Sequence, residues 1–172
     1  MKEYSSIQEG KSAPKLFAWL ASVMLITLII ASQLLPRGHF RNFRFVGVVI
    51  LLIAPVFIFL PFLLLSNHGK NEEGNCYMNT RRVIDEGLFA FLRHPQYLGY
   101  MMLAVGFSFL AQNLVVLFLA IISIICFYIQ ALKEEKYCLD KFGKSYKDYL
   151  HRVPRFNIFS GVWKKIRGNK HD

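Results

Sequence analysis

Long apolar runs, rather than alternation, dominate this chain. Leu16 to Leu35 (LFAWLASVMLITLIIASQLL) has no charged residue, and neither does Phe45 to Leu65, although Pro55 and Pro61 lie inside it. Each run is long enough to cross a hydrocarbon core of about 30 Å as a helix of about 20 residues. A third run, Pro95 to Leu132, continues for 38 residues without a charged side chain. As one helix it would measure about 57 Å, nearly twice the core of a bilayer. A fold is therefore expected at Ala111 to Asn113, where Gln112 and Asn113 are the turn-tolerant residues. Backbone groups in lipid must be satisfied internally, and none of the runs shows the period-two alternation of a barrel strand. The pattern predicts an all-α integral membrane protein with four transmembrane helices, the last two forming a helical hairpin.

Composition agrees with this reading. Of 172 residues, 54% are hydrophobic, 15% aromatic and only 19% charged, far from the balance of a soluble domain. We expect a single domain over residues 1–172, with no internal repeat or low-complexity linker. The first run exceeds a signal-peptide core and lacks a small-x-small cleavage site, so it is expected to remain as an anchor. An even number of crossings puts both termini and the loop from Ser66 to Arg93 on one side. That side carries Lys2, Lys11, Lys15, Lys70, Arg81, Arg82, Arg93 and every basic residue from Lys133 onward, against Arg37, Arg41 and Arg44 on the other. The skew predicts a multi-pass protein with cytoplasmic termini, in the inner membrane if the source is prokaryotic. The formal net charge of +10 then faces anionic lipid, a simpler partner for a juxtamembrane tail than nucleic acid. Cys76, Cys126 and Cys138 form no CxxC and read as reduced thiols, and the five histidines are too scattered to suggest a metal site.

Chemistry is concentrated in FLRHPQYLGY, Phe91 to Tyr100, where the third run begins. If the chain folds back near Asn113, Arg93, His94 and Pro95 return to the same rim as Glu134 and Glu135. Pro95 suits the first helical turn, whose amides can hold an anion. The alternative is that Arg93 and His94 are interfacial anchors and that Lys133 to Lys136 is a solvated helix end. On an exposed rim, Glu134→Ala and Glu135→Ala would cost little folding stability.

The second half as a whole has a recognisable order. RRVIDEGLFAFLRHPQYLG (Arg81 to Gly99), an apolar stretch, Glu134-Glu135, and FGKSYKDYLHRVPRF (Phe142 to Phe156) together resemble the isoprenylcysteine carboxyl methyltransferase family. They are similar, more distantly, to the phospholipid methyltransferases. The resemblance covers Val83 to Phe156 and implies a membrane enzyme that uses S-adenosylmethionine in a cytoplasmic pocket. Carried over by position, it implies cofactor contacts from His94, Pro95, Gln96, Tyr97, Glu134 and Glu135, with Val83, Ile84 and Phe89 before the motif. Phe89 stands where the family's GxY has a tyrosine. Gln130 stands where isoprenylcysteine enzymes carry an arginine for the substrate carboxylate. Gln130, with Arg93, is accordingly the candidate substrate contact, and a farnesylcysteine acceptor is expected to react poorly.

The residues themselves are compatible with that cofactor. No GxGxxG turn or convincing strand suggests a soluble nucleotide fold. Glutamates can accept from an ammonium or a ribose hydroxyl, while His94 and first-turn amides can hold a carboxylate. Transfer from a sulfonium requires positioning and a dry pocket more than a protein base. In the tail, Phe142, Tyr146, Tyr149, Leu150 and Val153 make an apolar stripe among lysines, which reads as an amphipathic cytoplasmic segment, either an interfacial anchor or a lid. Phe107, Phe109, Phe118 and Phe127 read as lipid-facing or packing residues. The expected function is methylation of a lipophilic small molecule or lipid drawn from the bilayer. Phospholipid N-methylation and a non-catalytic scaffold or sensor are the rivals.

Overall fold

The computed structural model describes residues 16–68 and 87–157, together with 159, 161 and 163. Their regular secondary structure is all helical, with no strand among the described residues. The helices are α1 (Leu16–Leu34), α2 (Arg41–His68), α3 (Pro95–Ala111), α4 (Leu114–Phe142) and α5 (Lys144–Arg152), with a 3-10 turn at Gly87–Ala90 before α3. Among the described residues three helices, α1, α2 and α4, are long and apolar enough to cross a membrane. With 17 residues, α3 reaches only about 26 Å at the α-helical rise, short of a typical hydrocarbon core.

The unequal division of the third apolar run has a local cause. Pro95 occupies the first turn of α3, and Gln112 ends the helix in the left-handed region at φ 50°, its amide donating to the Ser108 carbonyl. Asn113 then caps α4 by accepting a hydrogen bond from the Val115 amide at 2.9 Å, a standard use of Asn at such a position. Nothing stops α4 at the end of the apolar run. It continues ten residues beyond Leu132 to Phe142, where Gly143 at φ 56° takes over.

α3 packs against α2, α4 and α1, and α1 also packs along α4. The α2–α3 contact is antiparallel and close, because small residues at seven-residue intervals face each other. Gly47 and Ala54 on α2 lie opposite Gly106 and Gly99 on α3. A Cβ added to Gly47 would sit 2.9 Å from the Gly106 carbonyl oxygen, and one added to Gly99 would sit 3.0 Å from the Ala54 carbonyl oxygen. Such small-residue contacts let helices approach where water supplies no driving force. Pro55 and Pro61 lie within α2 without ending it. The core between α1, α3 and α4 is likewise rich in small residues: Ala21, Ala104, Ala111 and Ala120 beside Leu25, Leu28, Val116 and Phe127. Phe118 is exposed, whereas Phe107 packs on this core.

The helices share two distinct ends. At one, the α1–α2 and α3–α4 connections clasp each other: Gln112 bonds the backbone N–H and carbonyl of Phe40 at 2.9 and 2.7 Å. The Gly38 amide donates to the Ala111 carbonyl, and Asn113 donates to the Pro36 carbonyl. At the other end the start of α3 meets the extension of α4 and the C-terminal segment. There α5 buries Tyr146, Tyr149 and Val153 against Cys138 of α4. The apolar stripe of the tail therefore seals against protein.

Candidate active site

The extension of α4 determines what the site contains. One helical turn separates Gln130 from Glu134, so both project from the same face of α4. The face is turned inward: Gln130, Glu134 and Glu135 are exposed by only 1%, 4% and 6%. The alternative of a solvated helix end is thus excluded, and the expectation that losing either glutamate costs little folding stability is corrected. Because the helix runs on past its apolar stretch, it carries both glutamates beneath the start of α3 and the C-terminal segment instead of releasing them to solvent.

Glu135 is held by two guanidinium groups and an imidazole. Arg155 grips it in bidentate fashion, Nε donating to Oε1 at 2.8 Å and a terminal nitrogen to Oε2 at 2.5 Å. Arg93 reaches Oε1 at 2.8 Å, and His94 Nε2 lies 3.2 Å from the same oxygen. The hydrogen bond to Glu135 raises the Arg155 guanidinium further above its ordinary value, so it stays charged. A third donor from Arg155 goes to the Tyr128 hydroxyl at 3.0 Å. The buried Nε of Arg93 has no hydrogen-bond partner among the described residues.

Glu134 has a different environment. Its Oε1 accepts from the Tyr97 hydroxyl and, at 3.1 Å, from the Gln130 amide nitrogen. His94 Nδ1 stands 3.9 Å from its other oxygen, so the imidazole lies between the two carboxylates. The His94 ring stacks on Tyr97 at 5.7 Å and meets Phe156 at 6.0 Å, and Tyr97 in turn packs on Phe127. Gln130 Oε1 accepts from the Ala18 amide of α1 at 3.2 Å.

The C-terminal segment is tied across the front of α3. The amides of Arg93 and His94 donate to the carbonyls of Pro154 and Arg155, and the Tyr149 hydroxyl donates to the Phe89 carbonyl at 2.8 Å. Those two amides are accordingly occupied. The first-turn amides of Gln96 and Tyr97 precede the first intrahelical bond of α3, from Leu98 to His94.

Of the residues expected from sequence, the structure brings Arg93, His94, Tyr97, Gln130, Glu134 and Glu135 into one cluster. Pro95 is buried beside them. Gln96 bonds along its own helix to Tyr100, and the Phe89 ring is buried, with its carbonyl accepting from Tyr149 of α5. Val83 and Ile84 lie outside the described residues, as does Cys76. The structure adds Tyr128 and Phe156, and it places Arg155, which from sequence was only a reserve cation for an acceptor carboxylate, on Glu135. Arg155 and Phe156 belong to the VPRF stretch quoted above, which was the available signal. Tyr128, in an apolar helix, offered none.

The family model of phospholipid methyltransferase matches residues 43–145, more than half of the chain, including the start of α3 and the α4 glutamates but neither α1 nor Arg155. The protein-S-isoprenylcysteine O-methyltransferase of Schizosaccharomyces pombe is 34% identical over 73 residues, covering 42% of this chain and 31% of that protein. The match spans less than a third of the length of that relative. No solved structure matches.

Proposed function

The chain belongs to the phospholipid methyltransferase family, and from that membership we propose that it transfers a methyl group from S-adenosylmethionine to a lipophilic acceptor drawn from the bilayer. One observation carries the reading: two guanidinium groups, an imidazole and two buried carboxylates from the start of α3, from α4 and from the C-terminal segment converge at one end of the helices. The donor set suits a zwitterionic cofactor. Arg93 offers a buried guanidinium nitrogen that a carboxylate would satisfy. Glu134 is the carboxylate for an ammonium or ribose hydroxyl, and the rings of His94, Tyr97 and Phe156 are a stacking surface for a heteroaromatic base. His94 and Arg155 hold Glu135 in place. Val83, Ile84, Pro95, Gln96 and Phe89 complete the proposed cofactor environment.

When bound, S-adenosylmethionine supplies a methyl group on a sulfonium, and transfer to an electron-rich atom discharges that positive charge. The chain's contribution is orientation and exclusion of water. The strap at Val153 to Phe156 covers the start of α3, and Tyr97 with Gln130 fixes the Glu134 carboxylate. In the membrane we propose four crossings, with α3 and α4 as a hairpin and the short α3 accommodated by its neighbours. The charged cluster and both termini then face the cytoplasm, where the basic tail meets anionic lipid. A phospholipid amine is the second acceptor reading, favoured by neutral Gln130 because an amine needs no cationic partner.

The test uses protein purified in detergent. Calorimetry with S-adenosylmethionine should give saturable binding, and methyl-labelled cofactor should pass label to a native lipid extract but poorly to farnesylcysteine. Absence of both heat and label would refute the assignment, and robust turnover of farnesylcysteine would overturn the acceptor reading.

A further inference from the structure

We infer that Gln130 is a positioning residue that joins the start of α1 to the Glu134 carboxylate, making α1 part of the site. The stretch shared with the family begins at residue 43, so α1 enters from outside it. Ala18 lies near the start of α1 as described, and its part-buried backbone N–H needs an acceptor. It finds Gln130 Oε1 at 3.2 Å, while the other end of the same amide donates to Glu134 Oε1 at 3.1 Å. Glu134 also accepts from Tyr97 of α3, so α1, α3 and α4 are linked through the Gln130 amide, 1% exposed, and the Glu134 carboxylate. The Lys133 ammonium over the Phe17 ring at 3.9 Å also holds α4 to α1, one residue from Ala18 and three from Gln130.

The bridge needs a side chain that accepts at one end and donates at the other. Glutamine does both; arginine only donates, an ionised glutamate only accepts, and methionine of similar size offers no N–H. Arginine at this position would leave the Ala18 amide without its acceptor. Glutamine therefore places the Glu134 oxygen, and a movement of the start of α1 is transmitted to the carboxylate. The effect on chemistry rests on the methyltransferase reading above, whereas the bridge does not.

The experiment compares wild type with Gln130→Met, Gln130→Arg and Gln130→His, the last retaining one donor and one acceptor. Two readouts use the ligand-free protein in detergent: hydrogen exchange of the Ala18 amide, with Ala120 in mid-α4 as a folding control, and the fluorine resonance of 3-fluorotyrosine placed at position 97. The third is S-adenosylmethionine affinity by calorimetry. Methionine and arginine should speed Ala18 exchange and shift the fluorine resonance. They should weaken affinity about tenfold, the usual effect of one lost hydrogen bond to a charged group, with histidine closer to wild type. Unchanged exchange and resonance in Gln130→Met would overturn the bridge. Changed exchange with unchanged affinity would overturn the positioning role and leave a structural contact. Wild-type protein that binds no S-adenosylmethionine would sink the methyltransferase reading instead, with the first two readouts still deciding the bridge.

Discussion

Replacing Glu135 by alanine should destabilise the protein far more than loss of a surface carboxylate would. The side chain is 8% exposed and Arg93 is 11% exposed, so their pair is largely withdrawn from water. Removing one partner of a buried pair typically costs about 3–5 kcal/mol, because the remaining charge has lost its compensation. Arg155, a quarter exposed, can turn toward solvent, and its share should be at the surface-pair level of about 1 kcal/mol or less. The lower end, about 3 kcal/mol, is therefore the expectation, or a fall in Tm of about 10 °C for a chain of this size. Thermal unfolding in one fixed detergent, followed by tryptophan fluorescence, measures it. The mechanism makes a second demand. In the Glu135→Ala background, Arg93→Met removes the stranded charge and should recover at least half of the loss. A Tm within about 2 °C of wild type would show that the cluster is effectively solvated. Failure of Arg93→Met to recover stability would show that the cost did not come from an uncompensated guanidinium.

Arg155→Ala should cost about 1 kcal/mol, and it should expose the strap to limited proteolysis near Pro154, because the bidentate grip on Glu135 is lost; an unchanged cleavage pattern would count against the strap. Gly47→Ala and Gly106→Leu should each destabilise by about 1–3 kcal/mol through overpacking, since the space at Gly47 is bounded by the Gly106 backbone and that at Gly106 by Leu51. Wild-type melting of either variant would show that the two helices stand further apart. Single cysteines at Arg41 and Lys147 should label from opposite faces of sealed vesicles, Lys147 from the cytoplasmic one; labelling from the same face would rule out the proposed crossing pattern.

The helices were legible because apolar runs of membrane length leave little choice of structure, and the break at Gln112 and Asn113 was marked by the only two polar residues that could turn the chain there. The span of α3 was harder to judge. Hydropathy records where apolar residues are, but the ends of α3 depend on a proline in its first turn and a left-handed residue at its last. The close α2–α3 contact was not visible in hydropathy either, since Gly47, Ala54, Gly99 and Gly106 matter through a seven-residue register between two segments.

The site shows the same division between what a motif can carry and what packing decides. Arg93, His94, Tyr97, Glu134 and Glu135 could be grouped from their order in the chain. Whether the glutamates faced water could not, because that depends on α4 continuing past its apolar stretch and on α5 and the strap covering its end. Burial reverses the energetic argument: a carboxylate that would contribute little on a rim becomes the charge on which Arg93, His94 and Arg155 converge. Gln130 makes the point most sharply. Read along the chain it is a missing arginine, which suggests a different acceptor. Hydrogen bonds from its side chain connect residues 18 and 134, so the glutamine also fills a requirement set by α1 that an arginine could not meet. On the proposed acceptor reading, substrate choice and the packing of α1 are linked at this position, and a change made for one will be felt by the other.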